Sequence, residues 1–218
     1  MGENEVMIRS GTTPLLQYWV TGRPYPGECE CGDQYLVAGF AGGALAAVID
    51  GLGHGERAAE AAKHAVGILA EHASEPVVTL MQRCHEKLRR MRGVVMTLAS
   101  FSETDSTMTW LGVGNVECML LRAGAQSTKP ASPLLRGGIV GDRLPPLLPA
   151  TVPVQQGDLL LLATDGIASA FIRDLRYPEE PQGLINHLFS QYARNTDDAL
   201  ILGVQWTNGA TRPATPGS

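Results

Sequence analysis

The apolar and polar positions along the chain change period several times, and each change marks an element. From Asp33 to Gly51 two apolar runs flank a glycine pair, too short for helices and bounded by turn residues, which predicts a β-hairpin. The period then lengthens. Over Glu56 to Glu71, Ala58, Ala62, Ala65 and Leu69 fall on one helical face, and over Pro76 to Met91 so do Val77, Met81, Cys84, Leu88 and Met91. Each predicted helix has a single apolar stripe, so both should lie on a sheet. Val94 to Phe101, Thr107 to Val113 and Val116 to Leu121 read as three strands. Gly114 and Asn115 predict a two-residue turn between the last two and hence an antiparallel meander. Arg122 to Ala150 is crowded with glycine and proline and predicts a long irregular connection on the substrate side. Leu159 to Ala163 is an apolar strand, Pro181 to Arg194 a helix with Leu184, Leu188 and Tyr192 inward, and Ala199 to Trp206 a closing strand.

Antiparallel runs with helices in pairs argue for an α+β fold rather than a doubly wound parallel sheet. One domain is expected over residues 1–206. Residues 207–218, rich in Thr, Pro and Gly, read as a disordered tail. At 218 residues and 44% hydrophobic the chain has the means to bury a sizeable core.

Charge narrows the function classes. Lys and Arg number 17 against 22 Asp and Glu, a net charge of −5, so no global positive field exists to attract nucleic acid or anionic lipid. The longest apolar stretch, Leu36 to Ile49, is shorter than a membrane span and broken by glycines. The N-terminal text lacks the order of a signal peptide, which predicts a cytoplasmic protein. Cys29, Cys31, Cys84 and Cys118 lack zinc-site spacing and read as reduced, mostly buried thiols. Arg83, Lys87, Arg89, Arg90 and Arg92 read as the solvated end of the second helix, and His64, His72, His85 and His187 as surface or edge residues. Trp19, Trp110 and Trp206 lie in strand text and should pack the core.

The candidate chemistry lies where apolar strands end in glycine turns. Asp33 follows Cys31-Gly32, Asp50 precedes Gly51, Asp165 precedes Gly166, and Asp197 with Asp198 opens the last strand. Asp-Gly is a common turn dipeptide, so a single instance carries little. Several strand-end carboxylates converging would repel one another unless cations neutralised them, and oxygen ligation favours Mg²⁺ or Mn²⁺ over Zn²⁺. The pattern therefore suggests a two-metal site. DGLGHGERAAEAA adds glycines before a helix start but has neither dinucleotide-binding spacing nor a P-loop lysine.

In order, CGDQY, VIDGLGHG, WLGVGNV, GGIVGDRLP, GDLLLLATDGI and NTDDA resemble the SpoIIE-like branch of the metal-dependent serine/threonine protein phosphatases, the PPM family, over about Glu28 to Gln205. Within that branch the chain is most similar to the RsbX type. The resemblance implies an antiparallel β-sandwich flanked by helices on both sides, two Mn²⁺ or Mg²⁺ ions, and no protein nucleophile. It implies that Asp50 bridges the metals, with the Gly51 carbonyl, Asp33, Asp165, Asp197 and Asp198 completing the shells, and that Asp50 and Asp165 carry catalysis. Gly53, Gly138, Gly141 and Gly166 would border the substrate. Relatives place an Arg where Glu28 stands and a His directly after the Asp-Gly, whereas here Leu52 intervenes and the histidine is His54, either a general acid or a hydrogen-bonded support. The implied substrate is a serine-phosphorylated STAS-domain scaffold of the bacterial stressosome, with the enzyme a monomer. A non-catalytic phosphoprotein-binding module of the same fold, or a phosphatase for an anti-anti-sigma factor, are the alternatives.

Overall fold

The computed structural model describes residues 6–124 and 130–207. Two five-stranded antiparallel sheets stack face to face. One contains, in spatial order, β1 (Met7–Thr12), β2 (Leu16–Arg23), β10 (Ala199–Trp206), β9 (Leu159–Ala163) and β7 (Glu117–Leu121). The other contains β3 (Asp33–Phe40), β4 (Gly43–Gly51), β5 (Val94–Ser102), β6 (Thr107–Val113) and β8 (Ala150–Pro153). Helices α1 (Glu56–Glu71) and α2 (Val77–Leu88) cover the second sheet, while α3 (Phe171–Asp174) and α4 (Pro181–Tyr192) lie on the first. The result is the expected helix-sheet-sheet-helix sandwich.

Three apolar layers hold it. Between the sheets Val20, Val48, Trp110, Leu160, Leu202 and Trp206 are buried, and Phe101 stacks on Trp206 with ring centroids 5.6 Å apart. The alanine-rich face of α1 sits flat on β3 and β4, so Ala61, Ala62 and Ala65 are fully buried against Leu45, Ala47 and Ile49. Small side chains let helix and strands approach closely, which draws the end of β4 against the helix: a Cβ on Gly51 would lie 2.3 Å from the Ala58 carbonyl oxygen. All three tryptophans are buried.

The hairpin β3–β4, helix α1 and strand β10 fall where the text placed them, and α2 ends at Leu88, three residues short of Met91. Four readings are corrected. Strands β6 and β7 do not form a hairpin, because the chain crosses there from one sheet to the other. Gly114 (φ +98°) passes so close over Val95 that a Cβ would lie 2.2 Å from that side chain, and Thr97 Oγ1 donates to the Val116 carbonyl at 2.9 Å to fix the crossing. The Arg122 to Ala150 connection is partly stitched into the sheets through Val140, which bridges to Val94 and is fully buried. On α4 the buried residues are Ile185, Leu188 and Phe189, with Leu184 and Tyr192 at the margin. Only Cys84 and Cys118 are buried; Cys31 is half-buried and Cys29 exposed, all as free thiols.

Strand β1, the bounds of β2, the short β8 and the short α3 went unread. β1 is an edge strand with mostly exposed side chains, so no alternation marks it. Thr207, assigned to the tail, is buried and its amide donates to the Leu15 carbonyl at 2.9 Å. The rest of that expected tail, 208–218, lies outside the described residues. No helix among the described residues is long and apolar enough to cross a membrane.

Candidate metal centre

The five aspartates singled out in the sequence gather at one end of the sandwich because antiparallel registers bring four strand termini together. Asp33 opens β3 directly opposite Asp50 at the close of β4, Asp165 follows β9, and Asp197 and Asp198 precede β10, which pairs with β9. Carboxylates directly opposite one another across an antiparallel pair destabilise it, so the fold keeps this juxtaposition against its own electrostatics.

Asp50, Asp165 and Asp197 line a pocket of about 380 Å³ together with Leu52, Gly53 and Asn115. Asp33 and Asp198 are buried behind it, each about 3% exposed. The arrangement is an open, carboxylate-walled pocket; among the described residues no three acidic, histidine or cysteine side chains close into a cage.

Burial and mutual repulsion raise the pKa of most of the set. Asp50 is pushed up to about 8, by burial first and then by Asp165, Asp197 and Asp198. Asp33 is raised by burial and by Asp50, and the hydrogen bond from Thr164 Oγ1 at 2.7 Å works the other way. Asp197 is raised by burial and Asp165, and His54 opposes the shift. Asp198 is raised by burial and held down by the Tyr25 amide, which donates to Oδ1 at 2.8 Å. Its Oδ2 is buried without a hydrogen-bond partner of good geometry. These features fit a hard divalent cation: donors that are all oxygen, a buried carboxylate oxygen without a hydrogen-bond partner of good geometry, and clustered negative charge with no cationic side chain among the pocket's lining residues.

The remaining expected site residues divide. Gly53 and Gly138 line the pocket. Gly141 borders a neighbouring cleft, where its amide donates to His85 Nδ1 at 3.0 Å. Gly166 is buried, and a Cβ there would lie 1.8 Å from the Asp198 carbonyl oxygen, so it serves close packing of two Asp-bearing turns instead of facing substrate. His54 is exposed at the rim, stacked on Tyr25 at 4.4 Å between centroids, with Nδ1 2.9 Å from Glu28 Oε1. Glu28 thus braces the histidine.

Three supporting residues escaped the sequence reading. Thr164 Oγ1 also accepts from the Leu200 amide at 3.0 Å, tying Asp33 in one sheet to β10 in the other. Asn115 Nδ2 donates to Asp165 Oδ2 at 2.8 Å, a contact made possible by the sheet-to-sheet crossing. Tyr25 both supports His54 and caps Asp198. The Gly-Asn turn was visible, but its partner lies 50 residues away.

Residues 41–207 match the family model described as stage II sporulation protein E (SpoIIE). The chain belongs to the SpoIIE family. Among its relatives is the phosphoserine phosphatase RsbX of Bacillus subtilis (strain 168), 26% identical over 179 residues that cover 81% of this chain and 88% of the relative. The crystal structure of RsbX in complex with magnesium superposes with a TM-score of 0.82 at 23% identity, covering 92% of this chain and all of that one. A chain from a study of the bacterial stressosome, described as a modular system adapted to control secondary messenger signaling, superposes at 0.78 with 31% identity, covering 87% of this chain and 99% of that one. The two sheets and flanking helices of this SpoIIE-family chain are therefore the PPM phosphatase architecture.

Proposed function

We propose that this SpoIIE-family chain is a metal-dependent protein serine/threonine phosphatase that removes phosphate from phosphoserine or phosphothreonine on a stressosome scaffold protein of STAS type, resetting a bacterial stress-signalling switch in the cytoplasm. The observation that carries the reading is the convergence of Asp33, Asp50, Asp165, Asp197 and Asp198 on one pocket. The likeness to RsbX supports the substrate class, and the likeness to a stressosome chain supports the partner.

Asp50, Asp165 and Asp197 would hold two Mg²⁺ or Mn²⁺ ions, with the Gly51 carbonyl, Asp33 and Asp198 completing or backing the shells. Bound there, the cations would supply charge that lowers the pKa of water and offsets negative charge on the phosphoryl oxygens. The chain's own residues set the rest. No hydroxyl, thiol or imidazole lines the pocket among the described residues, and its aspartates would be engaged as cation ligands, so in this reading water is the nucleophile, as the family resemblance implies. Asn115 fixes the orientation of Asp165, Thr164 that of Asp33, and the Tyr25 amide that of Asp198. His54, held at the rim by Glu28 and Tyr25, would serve as the general acid toward the leaving serine oxygen, or else only as a hydrogen-bonded support.

The test compares a phosphoserine on an intact STAS-domain scaffold with a short phosphopeptide of the same sequence. Turnover should be abolished by EDTA, restored by Mn²⁺ or Mg²⁺, and far faster on the folded domain, since a generic metal pocket leaves selectivity to contacts between proteins. Activity surviving thorough chelation would overturn the metal reading. Equal kcat/KM for both substrates would overturn the scaffold-docking reading and leave a phosphatase of broad specificity.

A further inference from the structure

The pocket walled by Asp50, Asp165 and Asp197 contains no cationic side chain among its lining residues, yet its proposed substrate group is a dianion. Glu28, at the rim on His54, adds a further negative charge. Two flanking cations touch that lining through backbone carbonyls: Arg194 Nη1 lies 3.5 Å from the Asp165 carbonyl oxygen, and Arg92 reaches Leu52. Arg92 follows α2 in the loop entering β5, and its Nη1 donates to the Leu52 carbonyl at 3.2 Å. The same Nη1 lies over Gly53: a Cβ built on that residue would sit 2.6 Å from it, so the glycine leaves room for the guanidinium as well as adopting φ +82°. Leu52 and Gly53 both line the carboxylate pocket.

This ledge is fixed by backbone. The Leu52 amide donates to the Gly93 carbonyl at 3.1 Å, and Val94 and Val140 exchange two hydrogen bonds at 3.0 and 2.8 Å. Arg92 itself is exposed and has no ion-pair partner among the described residues. On its far side lies a second cleft of about 470 Å³ bordered by Leu52, Arg89, Met91, Ile139 and Asp142. The guanidinium therefore stands on the wall between two clefts, with one N–H committed to Leu52 and the others open. Five N–H donors in a planar fork suit two phosphoryl oxygens at once.

Resting on the phosphatase reading above, we infer that Arg92 is the phosphate anchor of this enzyme, gripping the phosphoryl oxygens of the incoming phosphoserine at the Leu52–Gly53 edge of the pocket. It binds and positions the phosphate, leaving the displacement to the carboxylate-lined centre. Its loss should therefore weaken phosphate binding more than it slows the bound complex.

The experiment measures hydrolysis of p-nitrophenyl phosphate in Mn²⁺, with inorganic phosphate as competitive inhibitor, for wild type, Arg92→Gln, Arg92→Lys and Arg90→Ala. Gln keeps an N–H donor and removes the charge, and Lys restores the charge without the fork. Arg90 is an exposed neighbour lining neither cleft, so it reports the diffuse field of the basic helix end. For Arg92→Gln the KM and the phosphate inhibition constant should each rise about tenfold, the size expected for one charge-assisted hydrogen-bonded contact, with kcat changed by less than about threefold. Arg92→Lys should recover part of the loss, and Arg90→Ala should match wild type. An unchanged phosphate inhibition constant in Arg92→Gln, or an equal rise in Arg90→Ala, would overturn the anchor. A wild type without turnover on either p-nitrophenyl phosphate or phosphoprotein would instead overturn the phosphatase reading.

Discussion

Strand β9 has a cluster of carboxylates that runs from buried to exposed at one end and a single buried carboxylate at the other, and the two ends are built on opposite principles. Asp158, just before Leu159, is 1% exposed and fully provided for. Its Oδ2 accepts from Arg122 Nη1 at 2.7 Å and the Gln155 amide at 3.1 Å, and its Oδ1 from the Ala123 amide at 2.9 Å. At the Asp165 end five carboxylates share Thr164, Asn115 and the amides of Tyr25 and Asp198, and one buried oxygen of Asp198 has no hydrogen-bond partner of good geometry. A carboxylate that closes a loop is satisfied by the protein. One that serves a cation is left under-satisfied, at a cost in stability that binding recovers.

The sharpest way to break this contrast is to exchange charge for shape at each end. Asp50→Asn should lower turnover by more than about a hundredfold while raising the stability of the chelated protein near pH 7 by about 2 kcal/mol, because Asn is neutral without the proton that Asp50 must take up on folding. Asp158→Ala should do the reverse. It leaves Arg122 and two amides without their acceptor and should lose about 3 kcal/mol of stability by denaturant unfolding, with KM and kcat near wild type where the protein is folded. If Asp158→Ala cut turnover with stability intact, the division of labour would be wrong.

pH separates the ends as well. Asp50 titrates near 8 in the folded chain against about 3.8 when exposed, so the native state holds the extra proton over that interval. Stability from this group is fully present below about pH 4 and is lost as pH rises through about 8. Between pH 5 and 8.5 the chelated wild type should thus lose melting temperature relative to Asp50→Asn, and saturating Mn²⁺ should shrink that loss. A difference independent of pH would contradict the raised pKa.

Smaller effects test the supports. Thr164→Val removes the hydroxyl that donates to Asp33 and accepts from Leu200, and should cost about 1–3 kcal/mol and weaken Mn²⁺ binding. Asn115→Ala frees only an exposed aspartate, so a few-fold drop in kcat with little loss of stability is expected, read by steady-state kinetics beside thermal unfolding.

The same contrast explains what was legible in the sequence. Asp33, Asp50, Asp165, Asp197 and Asp198 each sit at the junction of an apolar run and a turn, which local text displays. Their supports are long-range: Thr164 reaches Asp33 across 131 positions, and Asn115 reaches Asp165 across 50. The crossing between β6 and β7 was missed because Gly-Asn serves a hairpin and a passage between sheets equally well, and only the partners of the strands decide. The alanine stripe of α1 was readable since its period is local, whereas β1 pairs on a single edge and carries no apolar face to read. Asp158 drew no notice because Gly157-Asp158 resembles any turn; its burial depends on Arg122, 36 residues earlier.

The central claim, that the crowded end of β9 is a divalent-cation site, is met most directly by calorimetric titration of Mn²⁺ into EDTA-stripped protein near pH 7 in buffers of different ionisation enthalpy. Wild type should bind with proton release, since Asp50 is largely protonated there without metal, and Asp50→Asn should bind far more weakly while Asp158→Ala binds as wild type. No binding by wild type, or equal binding by Asp50→Asn, would contradict it.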